Sequence, residues 1–451
     1  MNSTNLPCEP SVFPPNEVLN RVRNCTATDA SEVEDIIVDG KVRLLTYSTG
    51  KDFIRKYGVT PGHQRTPGPV SVPPYLMKIL LRDSAKDNNI NFSSAQSLGD
   101  VDVAAAEELI ENLQEYAYRG NGTVIRLLCP KLESVLDQQP LKEPGMAFEI
   151  KSEVIAMPFG GTLNLVHSEM ANWIQDHALT GIKVWVVYPP SVQNLGQMGL
   201  YYERVSQGNE LNHFETCKSL QGGVTILQKP GQKVWIPPFC PTVVLALTTC
   251  TSFSTRFAMV DGTLQKLQNI PLLRAKSLRN RTEKKQKEEQ RLLARQICKE
   301  LQTILTEDEE GVDPHKIIIL IAGQWEQLKD DLRLLLQDGV VEGKKRIKPK
   351  SILKFWARGI LKLGLKECPI CEIHVGDVKK RNWLVEHFLQ HHWEPSGKPQ
   401  KRKRDDRLIS IIKEDNRHGD EDDSRKKKAR LQVDEGKGKG SVGDMNPDTL
   451  T

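Results

Sequence analysis

"QKPGQKVWIPPFCPTVVLAL", residues 228–247, places two short apolar runs on either side of a proline-rich turn. Runs of this length, rich in β-branched and aromatic residues and bounded by Gly and Pro, read as strands. The pattern repeats on both sides. "AFEIKSEVIAM", "GTLNLVH", "IKVWVVYPP", "GVTILQK" and "TSFSTRFAMV" all fall between residues 145 and 272, separated by turn residues. A polar insertion from Asn194 to Gly222 interrupts them. Many short strands with regular punctuation point to an antiparallel sandwich or barrel.

The flanks differ in character. At 451 residues the chain has room for two or three domains. Residues 1–99 mix Pro, Asn, Ser and charge and read as a partly disordered arm with docked pieces. Residues 100–144 form a helical lead-in, because "DVDVAAAEELIENLQEYAYRG" opens on an Asp cap, keeps helical apolar spacing and stops at Gly. Residues 273–342 are helical. Within them 274–305 lacks Gly and Pro and predicts one long helix, either folded back or in a coiled coil. A basic helix follows at 343–366, a compact Cys/His module at 367–393, and a low-complexity tail at 394–451 that is expected to be disordered.

No stretch approaches the roughly 18–20 apolar residues of a membrane span, so no membrane partner is expected. The N-terminal residues lack the basic and apolar regions of a secretory signal. Nine cysteines, dispersed except for Cys368 and Cys371, fit a reducing compartment better than a disulfide framework.

Three motifs in order carry a resemblance. "PFGGTLNLVHSE" ends a strand in H-x-E, "TGIKVWVVYPPS" follows, and "KVWIPPFCPT" comes after the insertion. The set resembles the JmjC family, whose cupin-type double-stranded β-helix (a jelly roll) houses Fe(II)/2-oxoglutarate oxygenases. The resemblance covers residues 145–272, under a third of the chain. It implies an α+β protein with a JmjC-like β-barrel flanked by helices. It also implies that His167 and Glu169 are the first two iron ligands and that Lys183 receives a 2-oxoglutarate carboxylate. Matching the family's I-P-x-G-x-x-H to this sequence sets Phe239 at the glycine and Thr242 at the second histidine. A hydroxyl cannot replace imidazole on Fe(II), so the resemblance implies a degenerate iron site that is weak or inactive. His213, in the insertion, is the alternative third ligand, and His177 lies on the wrong segment. Taken alone, the H-x-E pair reads as a solvated or capped pair, and Lys183 reads equally as an outward strand residue.

The second constellation is "KECPICEIHVGDVKKRNWLVEHFLQHHW", residues 366–393. Cys368, Cys371, His387 and His391 give C-x2-C-x15-H-x3-H, or x4 with His392 in the last place. A tight cysteine knuckle and two histidines one helical turn apart suit a tetrahedral zinc ion. Trp383, Leu384 and Phe388 are the expected small core. The module resembles a two-Cys, two-His zinc finger, and a single finger rarely holds DNA alone.

Residues 343–366 contain Lys and Arg but no acid, which suits phosphate contacts, so DNA is a candidate partner of 343–392. Ile352, Phe355, Trp356, Ile360 and Leu363 at helical spacing fit equally a packed helix with a solvated basic face. The clusters at 398–407 and 424–432 are of the kind that nuclear import receptors read. The sequence therefore predicts a nuclear, chromatin-associated JmjC-like scaffold with zinc, and with Fe(II) and 2-oxoglutarate only if the barrel is active. The competing readings are an active histone-lysine demethylase or protein hydroxylase, and a zinc-finger DNA-binding regulator.

Overall fold

The computed structural model describes residues 15–57, 61–65, 90–93, 124–127, 146–163, 171–208, 213–259, 262–278, 282–306, 314–338, 349–362, 364–374 and 381–393. His167, Glu169, the expected helix after Asp100, residues 343–348 and the tail from 394, with both import clusters, lie outside the described residues.

The protein is α+β, with two β-sheets and helices around them. The smaller sheet runs Arg43–Leu44, Val224–Gln228, Lys183–Val187, Thr242–Ala246, Thr162–Leu163 from edge to edge. The larger runs Gly62–Arg65, Gln232–Ile236, Trp173–Thr180, Cys250–Met259, Met146–Met157, Val124–Leu127, Ile90–Ser93. All pairings are antiparallel except that of Arg43–Leu44 with Val224–Gln228. The sheets thus draw strands from outside 145–272, out of the expected arm and lead-in. Those strands are two to four residues long, too short for a period-2 pattern to show.

Strand alternation sorts the side chains into two layers. Trp185, Val187, Ile226, Val244 and Ala246 of the smaller sheet meet Ile155, Val234, Ile236 and Cys250 of the larger in one apolar cluster between the sheets. Val184, Val186, Leu227, Val243 and Leu245 point the other way, into a second cluster with helices Thr28–Asp39, Val192–Ser206 and Ile270–Leu278. Burial on both faces explains why these strands read as nearly continuous apolar runs. The chain passes from one sheet to the other through Gly181–Ile182. Gly181 has φ +69, and a Cβ there would lie 2.3 Å from the Thr249 carbonyl oxygen, so only glycine fits the corner.

The polar insertion at 194–222 carries helical structure. Helices Val192–Ser206 and His213–Lys218 bury Met198, Tyr201, Tyr202, Phe214 and Cys217. Asn194 closes the excursion, donating to the carbonyls of Pro189 (2.9 Å) and Gln221 (3.0 Å) and accepting from Gln221 N–H (2.9 Å).

The expected single helix over 274–305 is two, Ile270–Leu278 and Glu283–Thr306. Thr282 starts the second, its hydroxyl accepting from Lys285 N–H at 3.3 Å. Gln290, Ala294, Ile297, Leu301 and Ile304 recur at helical spacing and are buried within this chain, so the helix folds back. Its core continues through Trp325, Leu328, Leu332, Ile352, Trp356 and Phe388.

Candidate metal centre

Cys368, Cys371, His387 and His392 converge, with one donor atom from each lying within 4.8 Å of all the others. Two local structures bring them together. The cysteines sit in a tight knuckle, where Cys368 N–H donates to the Ile373 carbonyl (2.9 Å) and Glu372 N–H to the Cys368 carbonyl (2.8 Å). Glu372 turns the chain with φ 59. The histidines come from helix Arg381–Phe388 and the single π-helical turn Leu389–Trp393 that extends it.

That turn corrects the expected ligand set. In an α-helix His387 and His391 share a face. A π turn has more residues per turn, which brings the residue five positions on into line. His392 therefore joins the cluster, while His391 is exposed. The x4 spacing was visible in the sequence, but the wider helix that selects it was not.

The geometry fits a tetrahedral ion. With M–N bonds near 2.0–2.1 Å and M–S near 2.3 Å, a tetrahedron has edges of about 3.3 Å (N···N) and about 3.6 Å (S···N). His387 Nε2 and His392 Nε2 are 3.3 Å apart, Cys371 Sγ–His387 Nε2 is 3.4 Å, and Cys368 Sγ–His392 Nε2 is 3.6 Å. Burial, reinforced by His387, pushes His392 down to about 4, so its imidazole is neutral and its lone pair available at neutral pH. Burial pushes the Cys368 thiol up to about 11, so a cation bound there displaces a proton.

The module is not free-standing. Leu384, Val385 and Phe388 pack into the helical core with Trp325 and Trp356, and Trp325 Nε1 donates to the His392 carbonyl (2.9 Å). Trp383, expected in a small private core, is 39% exposed and stacks on His387, the rings 5.4 Å apart. Helix Pro349–Lys362 turns Ile352, Trp356 and Ile360 into the same core.

The sandwich holds the other expected residues. Thr242 heads its strand, buried and on the inward face with Val244 and Ala246. Three residues before it, Phe239 is buried at φ 61, a left-handed conformation that side chains other than glycine rarely adopt. Lys183 points inward, 2.7 Å from Asp176 Oδ1 across the gap between sheets. His213 starts a helix packed on Thr28–Asp39, in the cluster on the outer face of the smaller sheet, whereas Thr242 lies on the inward face. His177 follows Asp176 and so faces away from the sandwich interior. Sequence reading missed Asp176. "WIQDHALT" alternates without showing which residue faces Lys183, and the pairing appears only once the two strands are set opposite each other.

No protein-family model matches the chain, and no curated protein matches it. Among solved structures it is similar to YcfD, a ribosomal oxygenase from Escherichia coli, at 11% identity and a TM-score of 0.27. The similarity covers 50% of this chain and 55% of that one. At this level it carries no weight for fold or activity, and both rest on the chain's own residues.

Proposed function

We propose that this protein is a nuclear JmjC-like scaffold, in which a double-stranded β-helix without a complete iron site is joined to a zinc-bound helical unit. The observation that carries the reading is the pair Phe239 and Thr242. Phe239 keeps the left-handed backbone at the position where the JmjC pattern has glycine. That supports the register which sets Thr242, a buried and inward hydroxyl, at the third ligand position. Two remaining ligands hold Fe(II) poorly, since a non-haem iron site needs three protein donors on one face.

Zinc is the metal that best suits the C-terminal cluster. Two thiolates and two imidazoles in a closed tetrahedral set with no open position describe a structural site. Burial of Leu384, Val385 and Phe388 leaves this helix less surface than a free recognition helix presents, which favours a protein partner over DNA for residues 343–392. The basic clusters at 398–407 and 424–432 support nuclear import, and a chromatin protein is the partner class we favour.

Purified full-length protein with Fe(II) and 2-oxoglutarate is expected to form no succinate above the iron-free control. Thr242→His is expected to raise Fe(II) affinity. Iron-dependent succinate that His167→Ala abolishes would overturn the scaffold reading.

A further inference from the structure

We propose that the sandwich interior is a carboxylate seat that the protein fills with its own Asp176. The inference rests on the scaffold reading above, since it gives a second reason for silence. Three polar side chains from three strands close a triangle. Lys183 Nζ is 2.7 Å from Asp176 Oδ1, Ser252 Oγ donates to Asp176 Oδ2 at 2.9 Å, and Lys183 Nζ donates to Ser252 Oγ at 2.8 Å. All three are buried, Lys183 to 1% exposure and Asp176 to 0%.

The surroundings hold this arrangement rigid. The Lys183 ammonium lies 5.1 Å from the centre of the Trp185 ring. Trp185 Nε1 donates to Gln228 Oε1 (2.7 Å), and Gln228 Nε2 donates to the Asp176 carbonyl (2.9 Å). Burying an ammonium is costly unless an anion pairs with it, and the Asp176 carboxylate does so while also accepting from Ser252. Asp176 is therefore the internal equivalent of a bound carboxylic acid, and an incoming carboxylate finds its place taken.

Beyond its Cα, an aspartate side chain is chemically an acetate. Asp176→Gly deletes that acetate, and Asp176→Ala deletes a formate. Each leaves Lys183 and Ser252 facing a gap that the missing acid fills.

The experiment is thermal unfolding of the full chain in sodium acetate, sodium formate and sodium chloride at equal ionic strength. Acetate is expected to raise the Tm of Asp176→Gly, and formate that of Asp176→Ala, saturably and above chloride. Wild type and the isosteric Asp176→Asn should show no such difference. Adding Lys183→Met to Asp176→Gly should remove the acetate shift. If Asp176→Gly does not fold in chloride, recovery of folded protein on refolding in acetate is the readout. Equal behaviour in all three salts, or failure of both variants to fold in any of them, overturns the proposal. Succinate formation by wild type would sink the scaffold reading itself. A silent wild type with no acetate or formate effect in the variants would sink only the seat.

Discussion

Stripping the metal from the Cys368–Cys371–His387–His392 cluster should loosen the whole C-terminal helical core, not just a detachable finger. Trp325 and Trp356 meet edge to face at 5.5 Å, Trp356 stacks on Phe388 at 5.7 Å, and Cys368 itself is fully buried in that core. A structural zinc site contributes on the order of 10–16 kcal/mol of apparent binding free energy. That rivals the roughly 5–15 kcal/mol by which a domain is stable at all. Addition of a strong chelator should therefore remove the near-UV circular dichroism of the buried tryptophans in step with metal release. It should also expose residues 283–393 to protease before the strands of the sandwich. Cys368→Ser should behave like the chelated protein. Metal release with the tryptophan signal intact would mean that the cluster is peripheral to the core.

The second large effect concerns Glu300. It is fully buried on helix Glu283–Thr306 and ion-paired with Lys266, itself buried on helix Gly262–Gln268. Thr263 Oγ1 donates to it at 3.2 Å, and Gln296 Nε2 at 3.0 Å. Gln296 also donates to Asn172 Oδ1 at 2.6 Å, which ties this helix to the entry of strand Trp173–Thr180. Glu300→Ala takes the carboxylate away from a buried ammonium and should cost roughly 3–5 kcal/mol, read as a lower urea midpoint. Replacing both partners, Lys266→Met with Glu300→Leu, removes the buried charge as well and should restore most of that loss. A single variant as stable as wild type would show that water reaches the site.

How legible this was from sequence depends on the length of the pattern. The strands at 183–187, 224–228 and 242–246 stand out because each is apolar on both faces and bounded by Gly or Pro. The Cys368/Cys371 knuckle and His387 stand out because metal spacing is set by bond geometry. The last ligand had two candidates, His391 and His392, because the choice between them depends on one π turn that no local residue announces. The helices across 192–218 were hidden by polar residues on their exposed faces. Asp176 was hidden because its partner belongs to the other sheet, and contact between sheets leaves no periodic trace in either strand.

Metal content tests the account most directly. Full-length protein reconstituted with both zinc and Fe(II), then freed of excess, should retain one zinc per chain and no iron. His391→Ala should keep that zinc and His392→Ala should lose it. Stoichiometric iron that depends on His167, or zinc that survives His392→Ala but not His391→Ala, would contradict it.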